Sequence, residues 1–430
     1  MAKTYRPYLP EQNFLLPPSL RDWLPDGHLA YFVSDVVDQL DLSAIEAYYE
    51  KEERGYPPYH PRMMVKVLVY GYCVGVFSSR KLQKRLLEDV GFRILAAGNE
   101  PDFRTLSDFR KLHLEVLQRL FEQVLRLALE LGAVKLGRVA IDGSKIQGNA
   151  SKHKAMSYGR MKEDEKRLKQ EVRELLTEAE RVDREEDARY GDQRGDELPA
   201  ELQRREERLQ RIRQAKRALE ERSREEASAQ GEEPAGSKPE EKAQYNFTDP
   251  ESRIMKGANG FVQGYNAQIA VEADTQLIVG QAVTQAANDK QQLLPMIAQV
   301  QEQAGQRPEA VIADSGYASE ENLQGAEAAQ VEVYVAVGRD KHNQQPGPCP
   351  RGRLAKTATR IDRMRRKLKT KAGRAIYARR KTIVEPVFGQ IKQARGFRQF
   401  LLRGLKKVQA EWALVCMTHN ILKVYRMIYA

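Results

Sequence analysis

Apolar residues recur every three or four positions through most of the first 132 residues, which predicts a chiefly helical segment. MMVKVLVYGYCVGVF, residues 63–77, reads as a buried helix. SSRKLQKRLLEDVGF follows, with Ser78 or Ser79 as N-cap and Leu82, Leu86 and Val90 on one face. After PDFRTLSDFRK, a longer helix carries Leu117, Leu120, Phe121, Val124, Ala128 and Leu131, and Gly132 is placed to end it. Short helices bearing Arg80, Lys81, Lys84, Arg85, Arg104, Arg110 and Lys111 suit a helix-turn-helix-like DNA-binding domain over residues 1–132.

The period then changes. GRVAID, residues 137–142, is a short apolar run ending in Asp142, as a buried strand would. Leu168, Val172, Leu175, Ala179 and Val182 step by four and three, a heptad seam. Beyond the turn YGDQRGDELP, Leu202, Leu209, Ile212 and Leu219 mark a second amphipathic helix, and SAQGEEPAGSKPEE reads as a flexible linker. Residues 155–243 therefore read as an inserted helical hairpin plus linker.

Strand character returns in GYNAQIAVEA and TQLIVGQAVT, which pair naturally as a hairpin. Asn266 and Gln268 stand on the polar face of the first, able to line a cleft or face solvent. KQQLLPMIAQVQEQAG is a helix capped by Asn288 or Asp289, EAVIAD a strand ending in Asp314, SEENLQGAEAAQ a helix and VEVYVAV a strand. Asp249, in TDPESR, reads as a turn or cap residue. A Pro- and Gly-rich loop, QQPGPCPRGR, leads into the last segment.

Composition sharpens this picture at two points. The net charge is +11, and twenty Lys or Arg against two acids lie between residues 351 and 410. Such a segment suits a polyanion, because bound cations displace the counterions of phosphates. Cys73, Cys349 and Cys416 have neither disulfide-framework nor zinc-finger spacing, so a reducing compartment fits best. The N-terminal residues lack the apolar core of a signal peptide, and no apolar run reaches the roughly 20 residues of a membrane span.

Asp142 and Asp314 each close a strand and precede a small-residue turn, DGSKIQG and DSGYAS. If the strands are neighbours, the two carboxylates can share a hard divalent cation, Mg²⁺ or Mn²⁺ rather than Zn²⁺. One of the two acids in the basic segment, Glu385, can complete such a site. Lys392 lies two helical turns further on, with Val384, Phe388 and Ile391 as the packing stripe, and Pro386 suggests a helix beginning near Glu385. Taken singly, each acid is equally explained as a turn or helix-terminal residue.

In order, AIDGSKI, VIADSGYASEENL and YARRKTIVEPVFGQIKQARGFR resemble the three acidic motifs of the DDE transposases of bacterial insertion sequences. NFTDPESRIMK and GYNAQIAVE resemble the same family's second-strand region, and PDFRTLSDFRK its N-terminal helical domain. The resemblance implies an α+β, α/β multi-domain architecture: a ribonuclease H-like mixed-sheet core, split as 133–154 and 244–430, with an N-terminal all-α domain and the inserted hairpin. It implies a catalytic and metal-binding triad of Asp142, Asp314 and Glu385 with two Mg²⁺ or Mn²⁺ ions. It also implies DNA contacts from Tyr377, Arg380 and Lys392, to which the charge pattern itself adds Lys381, Arg395 and Arg398, with Arg104 and Arg110 in the N-terminal domain. Four residues separate Arg380 from Glu385 where the family has three. Lys381 keeps the three-residue gap but has no Tyr at the matching distance. The insertion lies between the first two core strands, earlier than in better-known relatives.

The expected activity is cut-and-paste transposition: metal-dependent cleavage at the element's terminal inverted repeats and 3′-OH strand transfer into target double-stranded DNA. The protein is expected to work as a homodimer or higher oligomer in the bacterial cytosol, nucleoid-associated, without membrane contact. Two alternatives are a ribonuclease H-like nuclease that cuts without joining and a DNA-binding protein without catalysis.

Overall fold

The computed structural model describes residues 19–50, 57–190, 200–229, 238–257, 260–338, 349, 352–355 and 357–429. The turn at 191–199, the centre of the linker at 230–237, most of the loop at 344–353 and the side chains of Ala179, Val182 and Leu202 lie outside the described residues.

The N-terminal part holds α1 (Leu29–Asp38), α2 (Ser43–Tyr49), α3 (Pro61–Cys73), α4 (Ser79–Glu88), α5 (Val90–Leu95), α6 (Phe103–Leu112) and α7 (Leu114–Glu130). Local chemistry sets their ends. His60 caps α3 by accepting from the Arg62 amide, and Pro61 enters where its missing N–H costs nothing. Asp102 accepts from the amides of Arg104 and Thr105 to start α6. Gly132 follows α7 at φ +68°, the left-handed conformation that closes a helix.

Next come β1 (Arg138–Gln147), β2 (Ala155–Ser157), α8 (Tyr158–Tyr190), α9 (Ala200–Ala229) and β3 (Gln244–Asn246). β2 and β3 pair at the base of the helical hairpin. Met161, Leu168, Leu209, Ile212, Ala215 and Leu219 form a small core of the hairpin's own. β4 (Arg253–Gly257), β5 (Gly260–Glu272), β6 (Ile278–Thr284), α10 (Leu293–Ala304), β7 (Ala310–Ala313), α11 (Glu320–Ala328) and β8 (Glu332–Val335) complete the sheet region. α12 (Arg360–Lys369), α13 (Lys371–Ala378), α14 (Arg380–Gly389) and α15 (Leu405–Tyr429) follow.

One sheet has the order β4-β5-β1-β7-β8, with β6 pairing the same edge of β5 as β4. β5 runs antiparallel to β1 and β6, whereas β7 and β8 run parallel to β1. The fold is thus mixed α/β around a mixed sheet. Two sequence expectations are corrected here. β1 does not end at Asp142 but continues five residues to Gln147, paired throughout with β5. β5 does not alternate between core and solvent: both of its faces are buried from Tyr265 to Glu272.

A continuous apolar core joins the N-terminal helices to the sheet. α15 makes the connection, lying against α7, α3 and β6 and burying Trp412, Cys416 and Ile421. Among the described residues, no helix is long and apolar enough to cross a membrane.

Candidate active site

Sheet register creates the site. β1 and β7 pair in parallel, with Ile141 opposite Ala313. One residue further along both chains stand Asp142 and Asp314. In-register neighbours on parallel strands project from the same face about 5 Å apart, so the two carboxylates share a cleft. Asp314 leaves its strand and accepts from the Gly316 amide at 2.7 Å, opening a short turn over 315–317. Asp142 stays within its strand and accepts from the Gly143 amide at 2.8 Å.

Gly143 is not a turn residue, although Asp-Gly reads as one. A Cβ there would lie 2.8 Å from Asp289 Oδ1 and 2.9 Å from Asn266 Oδ1, and would also strike the Gln268 amide. A strand glycine often marks such a close approach. Gly143→Ala should therefore force these side chains apart, costing about 1–3 kcal/mol in denaturant unfolding as overpacking does, with Asp142 displaced.

Asp289 is the residue that sequence reasoning misplaced. It does not cap α10: Gln292 holds that position, without a side-chain cap bond. Its Oδ1 instead accepts from Asn266 Nδ2 at 2.6 Å and Gln268 Nε2 at 2.7 Å, with Lys145 Nζ at 3.4 Å. Asn266 and Gln268 are thus buried, and neither faces solvent. Tyr317, also buried, donates its hydroxyl to Gln268 Oε1, and burial followed by the charges of Asp289, Asp142 and Asp314 holds its phenol well above the usual range. No periodicity marks Asp289, but Asn266 and Gln268 on a central strand were a signal that something polar must meet them.

Three cations offset the crowded acids. Arg380 Nη1 lies 3.1 Å from Asp142 Oδ2. Lys392 bonds Ser144 Oγ, next to Asp142, and burial lowers its ammonium's pKa, partly opposed by Asp142. Lys145 faces Asp289. Burial is the main cause that pushes the Asp142 carboxyl up to about 6. Arg380 and the Gly143 amide oppose this, whereas Asp314 and Asp289 add to it.

The remaining sequence candidates divide. α14 packs on β1 through its buried face, Ile383, Val384 and Val387, and leaves Glu385 exposed, with no hydrogen-bond or ion-pair partner among the described residues. The helix starts at Arg380, so Pro386 lies inside it. Proline cannot donate to the Thr382 carbonyl, and Gln276 Nε2 does so instead at 3.0 Å. A π-turn over Gln390–Ala394 then breaks the two-turn spacing, bringing Lys392 to Ser144 while Glu385 stands away. Tyr377 is half-buried and its hydroxyl influences Arg380; Lys381 and Arg398 are exposed, as is Arg104, which lies over the Phe103 ring.

Arg395 and Arg110 are corrections. Arg395 is buried and donates to Thr418 Oγ1 at 2.7 Å and the Val415 carbonyl at 3.0 Å, its pKa lowered by burial to about 10. Arg110 is buried against the Tyr72 hydroxyl and the Phe77 carbonyl. Both cations hold the core together instead of meeting DNA. Arg395→Ala should cost roughly 2–4 kcal/mol in urea unfolding, because charge-assisted bonds are lost and their partners left unsatisfied, and should leave the salt dependence of DNA binding unchanged.

The oxygen chemistry of Asp142 and Asp314 fits a hard divalent cation. Among the described residues, however, no three His, Cys, Asp or Glu groups converge closely enough to hold one. Glu385 is thus outside the arrangement that the two aspartates form.

Comparison with known families bears on the same residues. The family model described as Transposase DDE domain matches residues 234–421, and that described as Transposase domain (DUF772) matches residues 18–112. The chain belongs to the DDE transposases of the insertion-sequence type. Asp289, Asp314 and Glu385 fall within the first match, whereas Asp142 falls in neither and is brought beside Asp314 by sheet register. No curated protein and no solved structure matches the transposase.

Proposed function

We propose that this transposase cleaves DNA at the ends of its element and joins the freed 3′-OH to target DNA, both at the Asp142–Asp314 cleft. The observation that carries the proposal is the parallel register that sets these two carboxylates side by side under a screen of cations. A divalent ion held by Asp142 and Asp314 would supply Lewis-acid stabilisation of the attacking and leaving oxygens. Glu385 would join the set once Arg380 leaves Asp142 and α14 shifts. Arg380 and Lys392, released from Asp142 and Ser144, would then face phosphate oxygens.

The strand order supports a ribonuclease H-like core, with three antiparallel strands followed by two parallel ones. We assign residues 1–132 to recognition of the terminal inverted repeats, with exposed Arg104 among its DNA contacts. Exposed Lys381 and Arg398 extend the basic face beside the cleft. Action as a homodimer or larger assembly in the cytosol belongs to the same proposal.

The test is cleavage and joining of labelled DNA carrying the element's ends, with Mg²⁺ or Mn²⁺. Metal-dependent joined products support transposition. Cleavage without joined products favours a nuclease, and binding without metal-dependent chemistry leaves only a DNA-binding protein.

A further inference from the structure

A second site lies near the far end of β1. Past Asp142 the strand runs five residues to Gln147, about 17 Å at the usual rise. There a groove of about 580 Å³ opens. Lys152, Lys154 and Arg403 line it, and no acid does among the described residues, in a chain with 60 Asp and Glu. Phe261, a residue 65% exposed, forms part of the wall, a costly position for an aromatic ring. Gln263 also lines the groove. It is 4% exposed, its amide nitrogen donates to Ser252 Oγ at 2.6 Å, and its Oε1 has no hydrogen-bond partner among the described residues.

We propose that this groove binds a single-stranded stretch of DNA, with one unstacked base on the Phe261 ring. This rests on the transposase reading and adds a subsite to it. Each feature matches one part of a nucleotide. The cations face phosphates, the exposed ring offers a stacking platform, and the orphaned Gln263 oxygen accepts from a base N–H. A duplex supplies phosphates but keeps its bases stacked inside, leaving Phe261 and Gln263 unused. An acidic peptide would meet the cations but gives the flat ring no matching partner. The groove is anchored for the purpose: Arg403 Nε donates to the Asn149 carbonyl at 2.9 Å and Gln399 Nε2 to the Gly148 carbonyl at 3.1 Å. Strand separation at a DNA end held in the cleft would deliver such a segment, since 17 Å corresponds to about five base steps.

The experiment titrates the full chain with a short fluorescein-labelled oligothymidylate and, separately, with a hairpin duplex. Phe261→Ala should weaken single-strand binding about tenfold or more, as loss of one stacked base does, and leave duplex binding unchanged. Phe261→Trp should restore it, with the new indole quenched by the oligothymidylate. Removing Lys152 and Lys154 together should lower the single-strand salt slope by about 1.4. Equal losses on both DNAs, or no loss with Phe261→Ala, would overturn the proposal. If the unmodified protein binds the duplex but not the single strand, the subsite falls and the transposase reading stands. If it binds neither, both fall.

Discussion

On the proposed metal-binding role of Asp142, Asp142→Asn should lower strand cleavage by a factor on the order of 10³ or more, because losing such a carboxylate removes several kcal/mol of transition-state stabilisation. The same substitution should stabilise the metal-free protein at neutral pH. The Asp142 carboxyl is raised to about 6 in the folded state, chiefly by burial, against about 4 in an unfolded chain. Between these values the folded protein holds a proton that the unfolded chain has released, so stability falls as pH rises from about 4 to 6. Above that window the ionised aspartate costs about 2–3 kcal/mol. Thermal unfolding without metal should therefore show a higher Tm for the variant at pH 7.5 and little difference at pH 4. A lower Tm at pH 7.5 would mean that the ion pair with Arg380 outweighs burial. Retained cleavage would remove Asp142 from the chemistry.

Asp289→Ala should damage both stability and activity. Asp289 gathers Asn266, Gln268 and Lys145, and its removal leaves the buried Gln268 amide without its acceptor and Asn266 Nδ2 with the Ala286 carbonyl alone. Loss of such bonds costs roughly 2–4 kcal/mol, readable in urea unfolding. Cleavage should fall by about 10–100-fold, as for groups that orient metal-binding residues. Asp289→Asn keeps the shape and tests the charge. If it cleaves as well as the unmodified protein, Asp289 acts by filling space alone. If it resembles Asp289→Ala, the carboxylate itself organises the cleft.

These two residues also show how far the sequence could be read. The positions of Asp142 and Asp314 were legible because apolar β runs are local signals and each run leads into an acid. The extent of β1 was not legible. Asp-Gly is common turn chemistry, and only the approach of Asp289 and Asn266, more than 100 residues away, reveals why glycine continues a strand there. Asp289 itself looked like a cap because it precedes a helical pattern, but its side chain is claimed by β5. Arg110 and Arg395 failed as DNA contacts for a related reason. Sequence charge does not say which cations face inward, and both are held by carbonyls and hydroxyls of distant elements. The Glu385 motif was legible from the segment 377–398, whereas its stance is set by α14 packing on β1 and by the π-turn that follows.

α15 has a consequence for biosynthesis. This 25-residue helix buries Trp412 against the sheet and also covers α3 and α7. Elements encoded near the start of the chain therefore wait for some of the last to emerge before their shared core can close. A nascent chain still lacking α15 carries both aspartates and most of the basic segment, but not the interior that holds them in register. DNA encountered on the ribosome would meet a polycation rather than an enzyme, and a message truncated just ahead of Leu405 would yield a product for proteolysis.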